Sequence, residues 1–349
     1  MRRLFSFIAI VGFGMLVPIS ITYYMWHGAK SKVHGINLRS KQNQEKFMTG
    51  FSEMGKKTNS RPSEADVRTF HMEKYCYKLR KQLQEERVKI SQFRYILYDD
   101  RYKTLFCQIP KVASSNWRRM FIILSGKVNT TDPSQLKSVD VHGKYGEHIK
   151  LLSNLNPEQI RYRLNNYFKV VIVREPFERL LSAYRNKFGN LSKSNQYFHK
   201  RFGRRIVKKY RPNAKGQSLR TGSDVTFGEF VQYIIDPNRN EPLNEHWTEY
   251  HKMCLPCIVH YDYIGKYETL TEDSAAIIDR MRASDVIKFP ERSATYHHKK
   301  TNTFLYDYFK HLSPKTMLKL WKFYYPDFLL FNYTLPKTLH NLTNLANYL

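Results

Sequence analysis

Acidic residues are what this chain is short of. Its 349 residues hold 30 Asp and Glu against 58 Lys and Arg, a net charge of +28. That imbalance excludes an acidic, self-repelling chain and calls for an anionic partner: nucleic acid, an acidic membrane or an acidic polysaccharide. Cysteine is scarce too, with Cys76, Cys107, Cys254 and Cys257 the full set. Cys254-Leu255-Pro256-Cys257 forms one CxxC, but no second CxxC and no suitable His-x-His segment completes a zinc site. No metal is indicated. Structural disulfides are the better reading, and four cysteines leave three pairings open. No G-x-x-x-x-G-K-[ST] stretch occurs, which argues against a Walker-type kinase. Internal repeats and long low-complexity tracts are missing as well. Disorder is excluded in turn, because 42% of the residues are hydrophobic and 15% aromatic.

Charge is absent from one further place, residues 4–26, LFSFIAIVGFGMLVPISITYYMW. Crossing a bilayer takes about 20 apolar residues, and a cleaved signal peptide has a shorter apolar core. Tyr23, Tyr24 and Trp26 fit an interfacial aromatic belt. The expected layout is a cytoplasmic tail at 1–3, a signal anchor at 4–26, a lumenal stem at 27–94 and a catalytic domain at 95–349. Within the stem, residues 63–90 read as a helix, either of the stem or the first of the body. Four N-x-S/T acceptors, at Asn129, Asn190, Asn332 and Asn341, place the body on the lumenal side. A nucleic-acid partner is then not expected.

Two segments of the body share one design. Tyr102 to Ile109 (YKTLFCQI) reads as a strand and Trp117 to Leu124 (WRRMFIIL) as a helix. Tyr167 to Val173 (YFKVVIV) is a near-continuous apolar run, as in a strand covered on both faces, and Pro176 opens a helix after it. Strand–loop–helix units of this kind predict an α/β fold, a parallel sheet flanked by helices. The first loop, Pro110-Lys111-Val112-Ala113-Ser114-Ser115-Asn116, sits at a helix N-terminus, where free N–H groups and a partial positive charge attract anions. Its small residues admit an oxyanion, and Lys111 and the hydroxyls add donors. In the second, Arg174 lies at a strand's carboxyl edge, Ser182 lies two helical turns on, and Arg179 and Arg185 are nearby. Two anion-binding loops suggest a doubly anionic nucleotide.

At these residues a family resemblance appears. IPKVASSNW resembles the 5′-phosphosulfate loop of Golgi carbohydrate sulfotransferases, and VREPFERLLSAYRNKF resembles their 3′-phosphate motif. The similarity points to the chondroitin and dermatan 4-O-sulfotransferases and their natural-killer-epitope relatives. HWxxxxxxCxPC at His246 to Cys257, YDYIGKYETL at Tyr261 to Leu270 and FLLFNYTLP at Phe328 to Pro336 extend it. One departure is Ser114-Ser115, where the family often has Cys-Thr. The resemblance implies a P-loop-like sulfotransferase fold, a Golgi type II membrane location and 3′-phosphoadenosine 5′-phosphosulfate (PAPS) as co-substrate. By it, Lys111 with the loop from Pro110 to Asn116 holds the 5′-phosphosulfate, and Arg174 and Ser182, with Arg179 near, hold the 3′-phosphate. The implied acceptor is a glycosaminoglycan, first position 4 of N-acetylgalactosamine in chondroitin, with dermatan or glycoprotein glycans as alternatives. A non-catalytic polyanion-binding protein on the same fold is the reading from another class. Lys111 is placed to offset charge on the leaving oxygen, and a base is needed for the sugar hydroxyl. His142 is the first candidate and His246 the second. The basic run at 199–220 and His297 to Lys300 are expected to border an acidic glycan or the nucleotide.

Overall fold

The computed structural model describes residues 62–83, 88–189, 191–239, 241–291 and 301–342. The expected tail and anchor, Asn190 and His297 to Lys300 lie outside these residues. Among the described residues no helix is long and apolar enough to cross a membrane.

The principal helices in chain order are α1 (Glu64–Leu83), α2 (Ser114–Leu124), α3 (Ser138–His142), α4 (Pro157–Asn166), α5 (Pro176–Lys187) and α6 (Arg204–Tyr210). They continue as α7 (Gly216–Thr221), α8 (Phe227–Ile235), α9 (Tyr250–Cys254), α10 (Leu270–Arg280) and α11 (Pro314–Leu330). Four strands, β1 (Ile96–Asp99), β2 (Thr104–Cys107), β3 (Phe168–Val173) and β4 (Tyr263–Lys266), form one sheet in the order β1-β2-β3-β4. β2, β3 and β4 run parallel, and β1 closes the edge antiparallel to β2. Cys107 pairs with Val171 and Val173 with Lys266, so the three parallel strands end on one side of the sheet. β2 and the last five residues of β3 are buried, which is why their sequences run apolar rather than alternating. β2 starts at Thr104, not Tyr102. Asp99 Oδ1 accepts the Tyr102 N–H at 2.8 Å, and Lys103 turns the chain with φ 45°, so 100–103 is a hairpin turn.

Helix α1 is the first helix of the body, so the stretch read as stem from 27 to 94 ends in part of the fold. Arg68, Met72, Cys76 and Leu79 line one face at helical spacing and are buried. Arg68 pairs with Asp273 at 2.9 Å, and Cys76 is disulfide-bonded to Cys257. The ion pair tolerates burial because Asp273 is saturated: Tyr263 Oη, Thr269 Oγ1 and the Lys266 N–H also donate to it.

Apolar side chains gather into two cores. One surrounds the sheet, and the other lies among α5, α8 and α11 around Trp247, Trp321 and Phe328. α5 carries Phe177, Leu180, Leu181 and Tyr184 into the second core, while its N-terminus follows β3 of the first. The site described below lies along this seam. The helical side holds one close backbone crossing. His199–Gly203 winds as a π-helix into α6, and Gly203 abuts Gly222, which follows α7 with φ +62°. A Cβ on Gly203 would stand 2.0 Å from the Gly222 carbonyl oxygen, a backbone atom that cannot swing aside. Gly203→Ala is expected to cost roughly 1–3 kcal/mol of stability. Denaturant unfolding checks this, and an unchanged midpoint would mean that the two segments separate freely.

Candidate active site

The first loop leaves β2 at Cys107, which is disulfide-bonded to Cys254 at the end of α9. Lys111 and Ala113 both take left-handed backbone angles, φ 74° and 64°, on either side of Val112. Turns that change hand in this way make a concave nest of N–H groups. Ala113 is also the N-cap of α2 and supplies no capping side chain. By contrast, Glu175 caps α5, Thr226 caps α8 and Ser313 caps α11 with side-chain hydrogen bonds. The N–H groups of Val112, Ala113, Ser114 and Ser115 donate to no backbone carbonyl among the described residues. An anion seated there would complete the helix end.

Lys111 crosses the mouth of this loop, and its Nζ donates to Asn186 Oδ1 on α5 at 3.0 Å. Its surface is part open, yet protein surrounds it on most sides. Burial, then Lys187, Arg174 and Arg179, push its pKa down to about 7. Four cations thus converge where few carboxylates offset them.

The second loop begins at Arg174, buried at the carboxyl end of β3. Its guanidinium lies over the Tyr267 ring at 4.4 Å and donates to Glu178 Oε2 at 3.0 Å. Glu178, Ser182 and Asn186 follow at four-residue steps along one face of α5, so Ser182 stands between the Arg174 pair and the Lys111 contact. Arg179 is placed differently from a phosphate ligand. It is buried, and donates from Nε to Pro110 O at 3.1 Å, from Nη1 to Thr248 O at 2.7 Å and from Nη2 to Glu245 O at 2.6 Å. It is a tie between the first loop and the 245–248 segment. Arg185 stacks on Phe304 at 3.8 Å.

Both candidate histidines reach this place. His142, at the end of α3, sets Nε2 3.1 Å from Ser115 Oγ. Arg118 Nε donates to Val141 O and Arg119 Nε to Leu136 O, pinning α3 to α2. Partial burial, then Arg118, Lys187 and Arg119, lower the His142 pKa. His246 is pushed far lower by burial, then Lys187, Lys111, Arg179 and His142. Lys187 and Asn186 are members of the site that sequence reading missed. Asn186 was legible from the four-residue spacing to Ser182, but Lys187 joins the cluster only through the fold, its Nζ lying 4.2 Å from the Phe198 ring centre.

The basic run at 199–220 is less free than its composition suggests. Arg201 and Arg205 share Glu241 at 2.6 and 2.5 Å, Lys209 pairs with Asp236 and Arg211 with Asp224 and Glu229. Lys200, Lys208, Lys215 and Arg220 remain exposed. Asn129, Asn332 and Asn341 are exposed, as glycan acceptors must be.

Residues 94–334 match the Sulfotransferase family. The chain belongs to the sulfotransferase family. Within it the resemblance is to enzymes of carbohydrates. Mouse carbohydrate sulfotransferase 11 is 40% identical over 251 residues, covering 71% of this chain and 70% of its own. Human carbohydrate sulfotransferase 14 is 44% identical over 248 residues, with 70% and 61% covered. Human carbohydrate sulfotransferase 8 is 37% identical over 268 residues, with 76% and 61% covered. No solved structure matches the chain. In a carbohydrate sulfotransferase the first loop and the face of α5 have a ready chemistry. Uncapped N–H groups and a lysine can bind an anionic donor, and neutral histidines beside it can accept a proton.

Proposed function

We propose that this sulfotransferase moves the sulfuryl group of PAPS to a glycosaminoglycan hydroxyl, first position 4 of N-acetylgalactosamine in chondroitin. Its catalytic domain works in the Golgi lumen, anchored through residues 4–26. The observation that carries the donor reading is the convergence of Lys187, Arg174 and Arg179 on Lys111, whose pKa burial first and these cations second lower to about 7. Like charges are held together at a cost that a polyanion would offset. The residues suit PAPS: Lys111 and the Pro110 to Asn116 loop would hold the 5′-phosphosulfate, and Arg174 and Ser182 the 3′-phosphate. Lys111 would stabilise charge growing on the oxygen that leaves sulfur. The choice of chondroitin is supported by the motif resemblance and by the net charge of +28.

The test is transfer of label from radiolabelled PAPS to desulfated chondroitin, dermatan, heparan precursor and glycoprotein glycans, followed by analysis of the labelled sugars. Label at position 4 of chondroitin is expected. Label on dermatan or glycoprotein glycans alone would move the acceptor, and absence of transfer to any glycan would contradict the reading. Ser182→Ala should weaken the 3′,5′-bisphosphate product (PAP) by about 1 kcal/mol, roughly fivefold, while leaving nucleotides without the 3′-phosphate unaffected. Equal weakening of both would remove Ser182 from the 3′-phosphate.

A further inference from the structure

An exposed ring stands beside the site on buried support. Lys187 of the cation cluster sets its Nζ 4.2 Å from the centre of the Phe198 ring, and that ring stands edge-on to His246 with centroids 5.3 Å apart. Tyr197 is the next ring outward. Its centroid lies 5.3 Å from that of Phe198 and 6.3 Å from that of Phe202, edge-to-face with both. Phe198 and Phe202 are buried, whereas Tyr197 is 59% exposed. The backbone makes this arrangement. Tyr197 belongs to the short helix Gln196–Phe198, which runs into the π-helix His199–Gly203. An α-helix would turn residues five apart well away from each other, and the wider π turn brings Tyr197 and Phe202 together. Gly203, pressed against Gly222, holds that turn in place. A lone exposed ring free to swing is ordinary on a protein surface. One clamped by two buried rings beside the reacting centre is preorganised to meet a flat partner.

Charge narrows the partner. Lys193 and Lys200 flank Tyr197 in the chain and are exposed. Arg201 beside them is paired with Glu241 at 2.6 Å, but neither lysine forms an ion pair among the described residues. A sugar of an acidic glycan matches both features. One face of its ring is a sheet of C–H groups, slightly positive, which fits the negative face of an aromatic ring, and a carboxylate on the same chain meets a lysine.

We infer that Tyr197 is a stacking platform for a sugar of the acceptor chain neighbouring the one that takes the sulfuryl group, with Lys193 and Lys200 meeting the chain's acidic groups. The inference rests on the reaction proposed above. The acceptor would run from the Lys111 end of the site past His246 and Phe198 and lay its next sugar on Tyr197. Tyr197 takes no part in the chemistry. It holds substrate and transition state equally, so its contribution falls on KM and not on kcat.

The full chain carrying Tyr197→Ala, Tyr197→Leu or Tyr197→Phe tests this. Desulfated chondroitin and dermatan are the probes, in direct titration and in label transfer, and PAP titration is the control. Tyr197→Ala should weaken glycan binding and raise the acceptor KM roughly tenfold, with kcat within about threefold of native and PAP affinity kept. Tyr197→Phe keeps the ring and should restore the native KM. Tyr197→Leu fills the place without a π face, so it should resemble Tyr197→Ala, and it serves should the alanine variant fail to fold. Stacking is not screened by salt, so the loss in Tyr197→Ala should persist at high ionic strength, where that of Lys193→Gln with Lys200→Gln should fade. An unchanged KM in Tyr197→Ala or a native KM in Tyr197→Leu would overturn the inference. So would a PAP affinity that falls in step with glycan binding, which would make Tyr197 a support of the donor site. A native chain that binds these glycans but transfers no label would contradict the reaction alone, and weaker binding by Tyr197→Ala would still support the platform. A native chain that binds neither glycan overturns it.

Discussion

Lys111→Ala should lower kcat by roughly 10³-fold or more while the protein stays folded. Among the described residues the lysine has one side-chain partner, Asn186 Oδ1, and it sits among Lys187, Arg174 and Arg179. Removing it relieves repulsion, so thermal stability should hold or rise even as turnover is lost. That opposition is the mark of a group retained for function and not for the fold. Circular-dichroism melting beside the transfer assay reads both. Lost activity with a lowered melting point would make Lys111 structural, and near-native turnover would remove it from the donor site. A pH dependence follows with a definite sign. Lys111 has a pKa of about 7 in the free protein, and an anionic donor favours its charged form. Donor affinity should be fullest below pH 7 and decline above it, with proton uptake on binding. Lys111→Ala should flatten the decline.

Opening the Cys107–Cys254 disulfide should cost about 2–5 kcal/mol, because it closes a long loop in the unfolded chain. The bridge spans 147 positions and ends one residue before the loop from Gln108. Cys254→Ala should therefore loosen the first loop as well as the fold, and PAP affinity should fall with stability. Cys76–Cys257 provides the control. It joins α1, not β2, to the segment after α9, so Cys76→Ala should lower stability by a similar amount and leave PAP affinity near native. Denaturant unfolding and PAP titration on both variants decide it. Equal loss of affinity would mean that general loosening, not the anchoring of β2, governs the loop.

What could be read from the chain was whatever depends on near neighbours. The apolar run in β3 announced a covered strand, Pro176 announced the start of α5, and the small residues after Lys111 announced a loop that could admit an anion. What could not be read depends on distant packing. Arg179 and Ser182 lie three residues apart on α5, and both were grouped with the second phosphate. The side of α5 away from its main apolar stripe looks like a solvent face in sequence. The 245–253 segment covers part of it, so Arg179 is drawn to backbone carbonyls while Ser182 stays partly open. Helix α1 was ambiguous for the same reason. Its polar, strongly helix-forming sequence fits a stem until Arg68 meets Asp273, some 200 residues away. The basic run at 199–220 shows composition misleading, since Glu241, Asp236, Asp224 and Glu229 come to it from later in the chain.

The most direct test of the donor site is calorimetric titration of the protein with PAP and with AMP at pH 7, each in two buffers of different ionisation enthalpy. The account requires PAP to bind at least tenfold more tightly than AMP, through the Arg174 and Ser182 end, with proton uptake that vanishes in Lys111→Ala. PAP and AMP binding alike, or no PAP binding at all, would contradict it.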